Sequence, residues 1–267
     1  MTLTQIPRLF AVIAVIAGLF VPAPSLAHSA KKGIGIADLS PAGAARVRAL
    51  NVAWYYTWSP RPIPGLTGPE FVPMAWGKAN ELAAVGNQRV PVMLGFNEPD
   101  NRNQSNIDAD DAASRWSDVQ SHAARVGSPA PANLNNGWLD EFMNRANSQG
   151  LRVDFVAIHL YGPPRPDWYL QRVDEVWQKY HKPIWITELG VADWHARGRP
   201  GANRFSPESV LACMQALLPE LEKRSYVERY AWFGAGKFSL THEQVRTSAL
   251  FNADGSLTPL GQFYANF

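Results

Sequence analysis

Cysteine is almost absent. Cys213 is the single one in 267 residues, so no intramolecular disulfide can form and stability has to come from a packed apolar core. Charge of one sign is missing too. Lys and Arg number 25 against 23 Asp and Glu, a formal net charge of +2. That balance gives no electrostatic case for nucleic acid or an anionic surface as partner. No apolar run has the length of a bilayer span. The longest, Leu9 to Val21, follows a single positive charge at Arg8 and leads to Ser25-Leu26-Ala27, small residues at the −3 and −1 positions of a signal-peptidase site. The expectation is a cleaved secretory signal over Met1–Ala27, a mature domain over 28–267, and a secreted, periplasmic or extracellular location. Several chemistries have no motif here. No His pair has zinc-ligand spacing, and no G-x-S-x-G is present. Gly234-Ala235-Gly236-Lys237 is followed by Phe238 where a phosphate loop requires Ser or Thr. Asp108, Asp110 and Asp111 lack the turn glycine of a calcium loop. No metal and no cofactor are expected. Repeats, low-complexity blocks and inter-domain linkers are absent as well, which predicts a single domain; a monomer is expected.

What is present is an alternation. Eight short apolar runs read as strands: Gly33–Ala37, Val52–Thr57, Glu70–Met74, Val92–Phe96, Val126–Ser128, Asp154–Leu160, Ile184–Thr187 and Val227–Phe233. Near-continuous apolar runs of this length suit parallel strands buried on both faces. Helical patterns fit between most of them. Ser40-Pro41 and Ser206-Pro207 read as N-caps followed by Pro at the first helical position, and Thr258-Pro259 opens a last helix. Trp116, Val119, Ala123 and Val126 are spaced as one face of a helix starting near Asp108. Pro219 predicts a kink or stop in the helix carrying Val210, Met214, Leu217 and Leu221. Between the second and third strands, Ser59 to Pro69 is so rich in Pro and Gly that no helix is expected there. The fold class predicted is α/β, a single (β/α)8 TIM barrel.

Two of the runs carry chemistry. Leu94-Gly95-Phe96-Asn97-Glu98-Pro99-Asp100 and Pro183-Ile184-Trp185-Ile186-Thr187-Glu188-Leu189-Gly190 each bring a glutamate to the end of a buried strand. Strands 4 and 7 of a barrel face each other across its mouth. Two carboxylates so placed are what glycosidic bond cleavage uses, one as proton donor and the other as nucleophile or as base for water. Proximity of the two charges and partial burial predict a raised pKa for Glu98. Asn97 is an amide able both to donate to and accept from a sugar hydroxyl. His159 and Tyr161 are two apart at the end of strand 6 and point to one face. Tyr161 is placed to hold Glu188 through its hydroxyl, and His159 to orient the same network. Ten Trp supply indole faces for pyranose rings. Trp58, Trp76, Trp194 and Trp232 fall at or just past strand ends and are the candidate sugar contacts. Trp116, Trp138, Trp168 and Trp177 fall in helical patterns and are expected to pack helices on the barrel.

The Asn97-Glu98-Pro99 and Thr187-Glu188-Leu189-Gly190 runs resemble the retaining clan A glycosidases. More narrowly, Leu94–Asp100 with Gln104-Ser105-Asn106 resembles glycoside hydrolase family 128. So do Phe71-Val72-Pro73-Met74-Ala75-Trp76-Gly77, His159-Leu160-Tyr161-Gly162 and Tyr230-Ala231-Trp232-Phe233. The resemblance runs from about Gly33 to Tyr264. It implies a (β/α)8 barrel acting on a polysaccharide substrate, β-1,3-glucan, with the strand 4 glutamate, Glu98, as acid/base and the strand 7 glutamate, Glu188, as nucleophile. Leu189 stands where Phe is expected after the nucleophile, and Leu160 where Trp is common after the strand 6 His. The second change removes a stacking surface. Two other readings stay open: a clan A glycosidase on another β-glycan, and a non-catalytic glucan-binding protein of a wall surface.

Overall fold

A computed structural model describes residues 29–78, 80–86 and 88–267. The expected secretory signal, Met1–Ala27, lies outside the described residues. Along the chain come β1 (Lys32–Gly35), α1 (Pro41–Ala49), β2 (Trp54–Tyr56), β3 (Glu70–Phe71), β4 (Val90–Met93), α2 (Ala109–Ser121), β5 (Ala123–Val126), α3 (Trp138–Ser148), β6 (Val156–Gly162), α4 (Pro166–Tyr180), β7 (Ile184–Val191), α5 (Pro207–Lys223), β8 (Val227–Trp232), α6 (Lys237–Thr241) and α7 (Pro259–Asn266). Every strand pair is parallel. The hydrogen-bonded order is β3-β2-β1-β8-β7-β6, with β4 and β5 paired beside it. Two seams join these groups into a ring. Met74 bridges Leu94 in parallel, and Leu94 N donates to Pro73 O at 2.9 Å while Ala75 N donates to Leu94 O at 2.9 Å. Gly127 bridges Phe155, with Ser128 N donating to Phe155 O at 2.9 Å. The result is the (β/α)8 barrel.

Period-two alternation divides the strand residues between two cores. Trp54, Tyr56, Met74, Phe155, Ala157, Trp185 and Ala231 face inward and fill the barrel. Their rings pack from strand to strand: Trp54 against Trp185 at 5.2 Å and Phe155 against Trp185 at 4.3 Å. Ile34, Ile158, Ile184, Ile186 and Val227 face outward and meet Val47, Trp116, Phe142, Val173, Val210, Met214 and Leu217 from the helices. Each such aliphatic side chain taken from water contributes about 1.5–3 kcal/mol, which is how a chain without disulfides is held.

Local signals set most helix ends. Ser40 accepts from Ala42 N, Asp108 from Asp111 N and Thr258 from Gly261 N, each satisfying an orphan N–H of the first turn. Two expectations change. Ala123 and Val126 do not continue the Trp116–Val119 helical face. α2 stops at Ser121, and Val90 N donates to His122 O at 2.8 Å, so pairing with β4 claims the backbone that follows. Pro219 neither stops nor shortens its helix, because α5 runs on to Lys223 with Leu217, Leu218 and Leu221 fully buried on both sides of the proline. Among the described residues between β3 and β4 the chain makes a 3-10 turn at Glu81–Ala84. No helix forms between β2 and β3, as the Pro and Gly content there predicts.

Candidate active site

The C-terminal ends of the strands surround a cleft of about 1080 Å³, on the face where barrels of this type place their sites. Glu188 reaches it because β7 is irregular. Ile158 pairs with Ile186, but the next residue of β6, His159, pairs with Glu188, so Thr187 is extra. This bulge re-aims the side chain that follows it. The Thr187 carbonyl it frees accepts from Tyr56 Oη at 2.8 Å. β7 then continues three residues past Glu188, through Gly190 to Val191. Glycine does not break the strand here, and a Cβ at position 190 would come within 3.4 Å of the Tyr161 ring. Glu98 arrives by another route. β4 ends at Met93, and Glu98 N donates to Ala130 O at 2.8 Å. Its φ is +42°, in the left-handed region. Trp58 follows β2 with φ +51°. Among the described residues the other non-glycine positions with positive φ are Asn51, Asn80, Asn106 and His181, types that tolerate it. Trp58 and Glu98 do not, and both line the cleft. Strain of this kind persists where surrounding structure over-determines it, often at functional sites.

The carboxylates sit in a dense network. An oxygen of Glu98, a ring nitrogen of His159 and an oxygen of Glu188 all lie within 4.8 Å of one another. Glu188 accepts from Trp58 Nε1 at 2.8 Å and from Tyr161 Oη at 2.5 Å. Glu98 accepts from Asn101 Nδ2 at 2.9 Å. His159 Nδ1 is 3.2 Å from Glu98 Oε1 and 3.6 Å from Glu188 Oε2. Burial and the neighbouring Glu188 charge push the Tyr161 phenol far above its ordinary range, so it stays a donor. For His159 burial acts downward, but the charge of Glu188 and the bond to Glu98 outweigh it, and its pKa is raised. Glu98 departs from expectation. Burial would raise it, yet the hydrogen bond and charge of His159, with the bond from Asn101, hold it below the usual glutamate value. The imidazole, lying between the two carboxylates, reverses the sign.

The sequence candidates divide. Trp58, Asn97, Glu98, His159, Tyr161, Glu188 and Trp194 all line the cleft. Trp194 is 53% exposed on its rim, edge-on to Tyr161 with centroids 5.9 Å apart. Trp232 does not reach it. The residue is fully buried, packs with the outer core and donates Nε1 to Ser248 O at 3.0 Å. Alternation sends Ala231 and Phe233 inward instead, and Phe233 lines the cleft, 5.4 Å from the Tyr161 ring. Trp76 also lies outside the lining, half-buried against the inner core with Lys78 Nζ 4.9 Å from its ring. Two useful residues carried no sequence signal by themselves. Asn101 fixes Glu98. Asp100 accepts from Ala132 N, Asn133 N and Asn136 Nδ2 at 2.7, 3.0 and 2.7 Å, tying the cleft wall after β5 to the loop after β4.

Known proteins match this arrangement across its length. The family model described as glycosyl hydrolase catalytic core matches residues 33–264. A glycoside hydrolase family 128 (subgroup I) endo-β-1,3-glucanase from Amycolatopsis mediterranei, solved with laminaritriose, is 32% identical. The match covers 89% of this chain and 99% of that one, with a TM-score of 0.73. The chain belongs to glycoside hydrolase family 128. Another solved member of family 128, a subgroup V exo-β-1,3-glucanase from Cryptococcus neoformans, is 26% identical over 88% of this chain and 98% of its own, with a TM-score of 0.71. Alkali-sensitive linkage protein 1 of Schizosaccharomyces pombe is 30% identical over 223 residues, 80% of this chain. The chain spans 40% of the length of that curated relative.

Proposed function

We propose that this family 128 protein is an exported endo-β-1,3-glucanase that cleaves with retention, with Glu188 as nucleophile and Glu98 as acid and base. The observation that carries this reading is the approach of the two carboxylates, whose oxygens lie within 4.8 Å. Retaining glycosidases hold their carboxyl groups roughly 5–5.5 Å apart, while inversion needs roughly 6.5–9.5 Å to admit a water. The surrounding donors fit the assignment. Both Glu188 oxygens accept hydrogen bonds, from an indole and a phenol that fix its rotamer for attack. Glu98 is the more open of the two, with 14% of its side chain exposed against 8% for Glu188, as suits a group that must reach a leaving oxygen and then a water. The β-1,3-glucan assignment rests on the likeness to the Amycolatopsis mediterranei enzyme, and export rests on the reading of residues 1–27.

Hydrolysis of laminarin, followed by reducing-end release and by proton NMR of the first product, tests this. Wild type is expected to yield the β-anomer. Glu188→Gln is expected to lose at least about 10⁴-fold in kcat, since the covalent step is gone. Glu98→Ala is expected to keep turnover of substrates with good leaving groups and to be rescued by azide. An α-anomer would mean inversion and wrong roles for both glutamates. Faster hydrolysis of a β-1,4-glucan would reassign the substrate. Binding of laminarin without hydrolysis would favour a non-catalytic wall-surface role.

A further inference from the structure

We propose that His159 stores the proton that Glu98 delivers, and that loss of the Glu188 charge during attack releases it. This rests on the reading of Glu188 as nucleophile. The His159 side chain has no exposed surface, and its Nδ1 faces two carboxylates at 3.2 and 3.6 Å. Its other nitrogen, Nε2, is buried without a hydrogen-bond partner. The ring is therefore held between opposed influences. Two negative charges favour the imidazolium, while full burial opposes it. The remaining groups around it shift this balance little. Asp100, in the loop after β4, adds a weaker negative field. Tyr161 on β6 and Tyr56 on β2 are kept neutral by burial. Trp58 offers only its N–H, to Glu188. What holds the proton on Nδ1 is the charge of Glu98 and Glu188 together, and catalysis consumes one of those charges.

In one step a Glu188 oxygen bonds to the anomeric carbon while the glycosidic carbon–oxygen bond breaks, its electrons going to the leaving oxygen, and Glu188 becomes a neutral ester. As the Glu188 charge drains into the new bond, the Nδ1–H bond breaks with its electron pair staying on nitrogen, the proton passes to Glu98 Oε1, and Glu98 gives a proton to the leaving oxygen. In the second half Glu98 removes a proton from water, and the water oxygen bonds to the anomeric carbon. Glu188 leaves with its electron pair and regains its charge. The proton on Glu98 then returns to Nδ1. Proton delivery is thereby timed to nucleophilic attack, and the resting site keeps Glu98 ionised, the direction its surroundings favour. His159 acts through Glu98 and does not itself touch the substrate.

Nitrogen-15 NMR of the full chain, labelled in its histidine rings, reads the proton directly. The His159 signal is assigned by its loss in His159→Gln, or in His159→Asn should the first variant not fold. In wild type its titration midpoint is expected above the ordinary value of about 6.5. In Glu188→Gln, which removes the charge without substrate, the midpoint is expected to fall by more than one pH unit. A neutral wild-type ring at pH 6, or equal midpoints in the two proteins, would overturn the proposal. The pH profile gives a second reading. The basic limb of kcat/KM on laminarin should move down by more than one unit in His159→Gln, and an unmoved limb would also overturn it. A His159 midpoint that responds to Glu188→Gln in a protein that does not hydrolyse laminarin would sink the hydrolase reading and leave the proton coupling standing. Hydrolysis with an unresponsive His159 would do the reverse.

Discussion

At the scale of single residues, the site depends on what holds Glu188. Tyr161 Oη donates to it at 2.5 Å and Trp58 Nε1 at 2.8 Å, one donor for each oxygen. Removing the first by Tyr161→Phe leaves the ring and its packing against Phe233 and Trp194 intact. The expected loss is in kcat, on the order of 10²-fold, as for other single donors aimed at a reacting oxygen, with KM nearly unchanged. Initial rates on laminarin decide it, and a change confined to KM would make Tyr161 a sugar contact instead. Residue identity in this network was legible in the sequence. Asn97, Glu98, His159, Tyr161 and Glu188 stood out from strand ends and alternation, and all five line the cleft. The electrostatics were not legible. The sign for Glu98 depends on an imidazole 3.2 Å away and 61 positions along the chain, a contact no local pattern encodes.

At the scale of elements, the cleft walls are loops tied by a few hydrogen bonds. Asp100 gathers Ala132 N, Asn133 N and Asn136 Nδ2, so the loops after β4 and β5 are tied to each other. Asp100→Ala frees three donors at the surface, where water replaces the partner. The expected cost is about 1 kcal/mol of stability, read from chemical denaturation, and a KM for laminarin raised by about tenfold or less. A kcat loss with KM held would mean that Asp100 acts on the catalytic pair through its charge. Apolar runs located best the strands buried on both faces, such as β7, whose eight residues are all buried; the fifth run, Val126–Ser128, shares only Val126 with β5, where Ala124 and Arg125 are exposed. Strand ends were hidden, because ends are decided by partners. Ala123 and Val126 keep helical spacing but are taken by β4. The extra residue Thr187 exists only relative to the register of β6. Trp232 stood at the right height on β8 but on the wrong face, because one step of alternation separates the cleft from the outer core.

At the scale of the whole molecule, a barrel must close, and here the closure joins the start of the described chain to its end. Lys32, the first residue of β1, is fully buried and donates Nζ to Tyr264 O at 2.7 Å and Ala265 O at 3.3 Å near the end of α7. Tyr264 Oη in turn donates to Gly33 O at 2.7 Å. A lysine satisfies the last carbonyls of a helix and complements its dipole, but burying the ammonium has a cost. Desolvation lowers the Lys32 pKa to about 8, against the opposing pull of Glu222. The unfolded chain holds its Lys32 proton up to about 10.4. Between these values the unfolded state binds more protons than the folded one, so this group makes stability rise with pH. Below about pH 8 both states are charged and the full desolvation cost is carried; above about pH 10.4 it is gone. Lys32→Met removes the titration and keeps the length of the side chain, while leaving two carbonyls to find other donors. Thermal melts of both proteins from pH 7 to 9.5 are expected to diverge. The melting temperature of wild type should gain on the variant as pH rises through 8, even as other groups move both curves together. A constant difference across that range would mean that Lys32 is not titrating inside the fold, and that the seam between β1 and α7 is held by hydrogen bonds alone.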